Sequence, residues 1–423
     1  MIVRRIRTLR WWMREHFWLV VAALGMSLAL AGGVVLAMFP VRFRSRPFQF
    51  PEGSPTVIRE APFHGQVHFN NTPGDLIFET LMQKRIDGSL SSVKIAMYSF
   101  SLKSIHERLQ SAFDAGKSVG LVVDGQRNAD LVKTLELDDA PEYSIAYPMT
   151  NDSSRMHHKF AVTDEGTGGA TAFIGSCNLT RQQTGYDPGA FIEIRDRMIA
   201  DALAAEFERI RRGTRGRAKL QDPTYRPRAC TVQHGDQHAE LWLSPGFGTN
   251  SFKQRLIELV SSATSTIDIA IWKFADLELA KLLVAKAKSG VRVRLIIDGR
   301  SGISGMDVFG CLTGHSEIQL KAGLQLASEA ETEDDQNDGP PPGMRPFIHH
   351  HTIIVDDRVI AFGSSNWSFA GFYQNDEANL VTDVDWIVEP FTQTFALFDR
   401  NTTEMTEEMM QTLRLSILQE RVR

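Results

Sequence analysis

Cysteine is scarce: Cys177, Cys230 and Cys311 are the whole set in 423 residues. An odd and sparse set implies no disulfide framework, so stability must come from a packed core. Net positive charge is also missing beyond the first fifty residues. Those fifty carry eight arginines and one glutamate, a net of +7 against −5 for the whole chain, which leaves −12 for the remainder. A body this acidic has no general attraction for nucleic acid, although a local basic patch could still supply one. Long apolar runs are equally rare, and the one that stands out is Phe17 to Phe39, 23 residues without a charge. What is present is ordinary: 43% hydrophobic and 23% charged residues describe a globular chain large enough for two domains.

The apolar run is long enough to cross a hydrocarbon core of about 30 Å as a helix. Trp11, Trp12 and Trp18 lie at its near end, as interfacial aromatics would, and Pro40 follows it. Five arginines precede the run and three follow closely, a bias that keeps the N-terminus cytoplasmic and places the body outside, periplasmic or extracytoplasmic. Ala29-Leu30-Ala31 offers a signal-cleavage reading, but the apolar run continues beyond it.

The body repeats. Tyr98-Ser99-Phe100 and Asp124-Gly125 recur as Trp272-Lys273-Phe274 and Asp298-Gly299 at a constant offset of 174 residues. In each copy an apolar strand (Val93 to Met97; Ile267 to Ile271) leads into a helical pattern (Leu102 to Ala115; Leu277 to Lys288). Each pattern ends at a glycine, Gly116 or Gly290, before a second apolar strand. Strand, helix, strand reads as a parallel βαβ unit. Opening strands (Gln66 to Phe69; Ala239 to Leu243) and closing helices (Ala200 to Ile210; Phe391 to Phe398) complete each copy.

Two segments break the symmetry. Arg209, Arg211, Arg212, Arg215, Arg217 and Lys219 form a basic run at the junction, read as a solvated linker or as a contact for phosphates. An acidic stretch, Glu329 to Asp338, followed by Gly339-Pro340-Pro341-Pro342-Gly343, cannot build a core and reads as a loop able to repel polyanions.

Each copy carries a polar constellation. Met156-His157-His158-Lys159 runs into Phe160 to Asp164, followed by Gly175-Ser176-Cys177-Asn178. Later, Ile348-His349-His350-His351 runs into Thr352 to Asp356, followed by Gly363-Ser364-Ser365-Asn366. Residues two apart on an extended segment leave the same face, so His157 and Lys159 reach one point. Lysine supplies charge for phosphate oxygens, neutral imidazole a nucleophile or base, and Ser and Asn hydrogen bonds. Two half-sites imply one shared site.

These motifs, H-x-K-x4-D and then G-S-x-N, resemble those of the phospholipase D superfamily over roughly residues 60 to 400. The resemblance implies an α/β fold of two tandem α/β/α-sandwich domains in a pseudo-two-fold pair, here preceded by one transmembrane helix. The expected organisation is a basic tail (1–16), the membrane helix (17–39), a linker (40–60), a first domain (61–220), a linker (221–236) and a second domain (237–402). The second domain contains the acidic loop (328–343), and a C-terminal helix or tail (403–423) ends the chain. Implied catalytic residues are His157, Lys159, Asp164, His349, His351 and Asp356. Ser176, Asn178, Ser364 and Asn366 are expected to hold phosphate oxygens. Glu193 and Glu377 are expected to fix the imidazole tautomers, with Asp164 and Asp356 as alternative or structural partners.

The implied chemistry is hydrolysis of a phosphodiester, with His157 attacking phosphorus to form a phosphohistidine and His349 acting as the acid. The expected substrate is a membrane phospholipid; DNA or RNA is the alternative, and a non-catalytic phosphate-binding scaffold the third reading. No cofactor or metal is expected, although the His349, His350, His351 cluster offers a metal-binding alternative. Because the halves pair within one chain, no second copy is required. One position departs from the family: His351 stands where the second lysine is expected. A histidine there predicts a charge gained only below about pH 6.5, and so activity that rises on acidification.

Overall fold

A short strand, β1 (Thr56–Ile58), precedes the first repeat. That repeat contributes β2 (Gly65–Phe69), β3 (Ser92–Met97), β4 (Ser118–Asp124), β5 (Ser144–Tyr147), β6 (Lys159–Thr163), β7 (Thr171–Gly175) and β8 (Ala190–Ile194). The second contributes β9 (Arg228–His234), β10 (Gln237–Ser244), β11 (Thr266–Ile271), β12 (Arg292–Ile297), β13 (Ile318–Ala322), β14 (His351–Val355), β15 (Val359–Gly363), β16 (Glu377–Thr382) and β17 (Thr403–Glu404). The computed structural model describes residues 56–58, 64–71, 74–128, 144–147, 154–298, 302–322 and 348–420. The apolar run at 17–39 and the acidic loop at 328–343 lie outside the described residues. Among the described residues no helix is long and apolar enough to cross a membrane.

The strands form two mixed sheets. The first is ordered β2-β8-β7-β6-β3-β4-β5, and the second β1-β9-β10-β16-β15-β14-β11-β12-β13-β17. Seven consecutive strands of the second sheet, β10 to β13 in that order, match the first sheet strand for strand, so the repeat is a repeat of topology. In both, the parallel βαβ unit is the one the sequence predicts: β3 pairs parallel with β4, and β11 with β12. Their helices, Lys103–Asp114 and Leu277–Lys288, end as expected, with Gly116 at φ +81 and Gly290 at φ +95, a left-handed conformation that a side chain would resist.

The site-bearing strands β6 and β14 are buried on both faces. Continuous apolar sequence such as Phe160-Ala161-Val162 suits a strand covered on both sides. One core lies between the sheets and is built from both halves: Phe160, Ile192 and Leu203 pack in the same cluster as Leu243, Phe362 and Phe391. Two further cores cover the outer faces, one per sheet. Helices Arg197–Arg211 and Asp385–Asn401, which close the two repeats, supply much of the shared core. Burying these apolar faces against each other joins the halves and sets where β6 and β14 end.

Candidate active site

Each signature histidine sits just before its strand and is tied to the opposite half. His157 N donates to Asp376 O at 3.0 Å, and His349 N donates to Pro188 O at 2.7 Å. The intervening His158 and His350 face away, as alternation requires. His158 Nε2 donates to Glu206, and His350 packs against Phe69, Phe391 and Phe398.

The two imidazoles are oriented differently. His157 Nδ1 donates to Glu377 Oε2 at 2.8 Å, and Glu377, fully buried, also accepts from Ser364 Oγ at 2.6 Å and Asn375 Nδ2 at 3.1 Å. His349 Nδ1 donates to the Ser176 carbonyl at 2.8 Å. Both acceptors lack a proton to give, so each ring carries its hydrogen on Nδ1 and leaves Nε2 with its lone pair. Lys159 Nζ lies 3.3 and 3.2 Å from the two His157 nitrogens. The aromatic residues that the repeat pairs, Tyr98 and Trp272, wall the two rings: Tyr98 lies 4.6 Å from His157, and Trp272 stacks on His349 at 5.3 Å. The sequence marks both by their common offset, without showing what they pack against.

Burial dominates the electrostatics. It pulls His157 below its ordinary value, opposed by the Glu377 carboxylate. Burial, with the nearby Lys159 and His157, takes His349 down to about 3. Lys159 itself is lowered to about 8 by burial, with Glu377 opposing. A site whose cation is lost near that value should lose phosphate affinity there. Activity is therefore expected to fall above about pH 8, and Lys159→Arg to move that limb upward; a kcat/KM profile from pH 5 to 10 measures it.

The family described as "Cardiolipin synthase, PLD-like domain" matches residues 82–211 and 256–398, one span in each half. The chain belongs to the phospholipase D superfamily. Mitochondrial cardiolipin hydrolase of Danio rerio is 27% identical over 169 residues, covering 40% of this chain and 60% of that protein. The Homo sapiens protein of the same name is 29% identical over 141 residues, covering 33% and 48%. Cardiolipin synthase of Listeria welshimeri is 23% identical over 262 residues, covering 60% and 49%. The chain thus spans about half to three-fifths of the length of these curated relatives. In fold it is similar to phosphatidylserine synthase of Haemophilus influenzae, at a TM-score of 0.59 and 14% identity over 85% of this chain and 95% of that one.

Within this superfamily member, several expected site residues stand elsewhere. Glu193 is on β8 but pairs with Arg85 at 2.8 Å and with Arg195 at 3.3 Å, not with a signature histidine. The register gives the reason. Ser176 N donates to Ala190 O and Ser364 N to Ala378 O, so Ala190 and Ala378 are equivalent, and Gly189 occupies the place of Glu377. A Cβ on Gly189 would fall 1.8 Å from Cys177 Sγ, so the buried thiol fills the space a side chain would need. Counting from the signature asparagine finds this: Glu377 is eleven residues past Asn366, and the residue eleven past Asn178 is Gly189.

Asp164 and Asp356 are also outside the histidine cluster. Each ends its strand at positive φ, +56 and +52, roughly 17 Å along β6 or β14 from the Lys159 or His351 end. Asp164 accepts from the backbone N–H groups of Leu90, Ser91 and Ser92, and Asp356 from those of Thr264, Ser265 and Thr266. They clamp the turns that start β3 and β11. Against the cost of burial these donors hold Asp356 down to about 2. Asp356→Ala should therefore cost about 2 kcal/mol of stability while leaving kcat per folded molecule unchanged, checked by denaturant titration. Because the folded pKa lies below the unfolded one, that contribution is present above about pH 4 and is lost as pH falls toward 2.

The supporting residues divide. Ser176 Oγ accepts from Ala190 N, and Ser364 Oγ donates to Glu377, so both hydroxyls are engaged within the protein. Asn178 accepts from Ser99 N and donates to Gln183 Oε1. Asn366 differs: its Oδ1 is buried and takes no hydrogen bond from the described protein. Gly175 and Gly363 are required by close approach, since a Cβ would meet the Phe191 ring or Ala378 O at 2.3 Å.

His351 lies edge-on to His349 at 5.5 Å, buried, with neither nitrogen hydrogen-bonded. Burial first, then the neighbouring His349, Lys159 and His157, push it well below the ordinary histidine range. That shift opposes the acid-side gain in activity expected for this residue, and among the described residues Lys159 is the cation that lies against the histidine rings. Nor do the three consecutive histidines converge, because His350 faces the core.

Proposed function

We propose that the chain is a phospholipase D-type phosphodiesterase that hydrolyses a phospholipid phosphodiester through a phosphohistidine. The observation that carries this reading is the His157–Glu377 hydrogen bond made between halves, with Lys159 beside it and His349 held by Ser176 O. In the first step His157 Nε2 attacks phosphorus, the bond to the leaving oxygen breaks, and His349 protonates that oxygen. The imidazole becomes positive as the P–N bond forms, and the Glu377 carboxylate offsets that charge. Burial first, then the neighbouring Lys159 and His157, disfavour the charged form of His349, and the negative charge of a bound phosphodiester anion opposes Lys159 and favours the protonated ring that the acid role needs. In the second step neutral His349 takes a proton from water, oxygen replaces Nε2 on phosphorus, and a phosphomonoester leaves.

A lipid substrate is supported by the cardiolipin hydrolases and synthases among the relatives and by the acidic body. In this reading the apolar run at 17–39 is a single-pass anchor, with the N-terminus cytoplasmic and the catalytic body extracytoplasmic. The test offers purified protein mixed phospholipid vesicles containing cardiolipin and, separately, single- and double-stranded nucleic acid, with His157→Ala as control. Phosphomonoester lipid without nucleic-acid cleavage is expected. Nucleotide release without lipid products would replace this reading with an endonuclease, and binding without turnover would replace it with a phosphate-binding scaffold.

A further inference from the structure

Lys219 lies in a short helical turn, Gly216–Gln221, near the junction of the halves and is fully buried, a costly place for an ammonium unless it is paired. Its Nζ donates to Glu206 Oε1 at 2.6 Å and to Ser244 O at 2.6 Å, and lies 2.8 Å from Asp376 Oδ1. Glu206 also accepts from His158 Nε2 at 3.1 Å and Arg209 Nη1 at 2.6 Å. Asp376 also accepts from Gly216 N at 2.7 Å, and the Tyr225 ring lies 5.0 Å from the ammonium. His158, Glu206 and Asp376 bring ligand atoms within 4.8 Å of one another, a spacing that would suit a metal ion. Lys219 supplies the positive charge instead. The basic run that sequence reads as solvated or phosphate-binding therefore has, at its last member, a different use.

This ammonium reaches the chain neighbours of the two central catalytic groups, Asp376 directly and His158 through Glu206. His158 follows His157, and Asp376 precedes Glu377. Their backbones are directly joined: His157 N donates to Asp376 O at 3.0 Å, Asp376 N donates to Arg155 O at 2.9 Å, and Met156 bridges Asp376. We propose that Lys219 is a positioning residue, which sets the His157–Glu377 hydrogen bond by locking helix Arg197–Arg211, the turn Gly216–Gln221 and the residue that leads into β16 around one buried charge. Without it, Glu206 and Asp376 would face each other as buried carboxylates, and their repulsion would act on the segment that carries Glu377.

This inference rests on His157 and Glu377 being the catalytic pair, and the test separates the two claims. Lys219→Met is made in the full chain. Arg255→Met is the control, because it breaks a similarly buried ion pair with Glu240, four residues before Ser244 on β10. Lys219→Met should lower kcat per folded molecule about a hundredfold with KM within about twofold, the effect of a misplaced catalytic group. Adding Asp376→Asn, which removes the uncompensated carboxylate, should restore part of the loss. Arg255→Met should lower the melting temperature only. The Nδ1–H resonance of His157 in histidine-labelled protein reads the same hydrogen bond without turnover, and it should shift in Lys219→Met but not in Arg255→Met. If Lys219→Met does not fold, Asp376→Asn alone is measured in the same way. Unchanged kcat per folded molecule together with an unchanged resonance overturns the proposal. Absence of wild-type turnover on any phosphodiester would overturn the activity, while the resonance would still decide the positioning role.

Discussion

Replacing His157 with alanine is expected to lower kcat/KM by roughly 10⁴ to 10⁶, the scale seen when a nucleophile is removed from a machinery that acts as a unit. His349→Ala should lose less, roughly 10² to 10⁴, the range for a general acid or base. The two losses differ in kind as well as size. Without His157 no covalent species can form. Without His349 the first step is slowed, but the phosphoenzyme, once made, lacks the base that activates water and should persist. Steady-state kinetics of the two variants, with quenched-flow trapping of the protein, separates the roles.

The second large effect belongs to Glu377. Glu377→Gln is expected to reduce kcat by roughly 10⁴, the loss found when a carboxylate that orients a catalytic histidine becomes an amide. Three donors converge on this carboxylate, from His157, Ser364 and Asn375. An amide of the same shape turns one acceptor into a donor. If its NH₂ faces His157 Nδ1, the ring proton must move to Nε2 and the attacking lone pair is lost. Glu193→Gln is the contrast: that carboxylate serves Arg85, so kcat should stay within about twofold. Equal losses in the two variants would contradict the register that places Gly189 opposite Glu377.

The repeat and the site motifs are legible in the sequence because they are local. Histidine two before lysine, glycine where two strands nearly touch, and apolar strands followed by glycine-ended helices all express contacts within a short stretch. The errors arise where burial or long-range register decides. Glu193 sits on the expected strand with the expected chemistry, yet it lies four residues beyond the position that faces the site, and one such offset changes its partner. His351 reads as a titrating residue until its ring proves to be enclosed with Lys159 and two other histidines. Asp164 and Asp356 belong to the motif as strongly as the histidines do, but their strand carries them to its far end. Lys219 is the clearest case: in a run of five arginines it looks solvated, and only the folded chain brings Glu206 and Asp376 to it.

Central to the account is one phosphorus atom served by both halves of a single chain. The most direct measurement reacts the full chain with substrate labelled at phosphorus, quenches in alkali, where phosphohistidine survives, and locates and counts the label. One phosphoryl group per chain, on His157, with more retained in His349→Ala, is the predicted result. Two groups per chain, one on each signature histidine, would mean two independent sites and would contradict it.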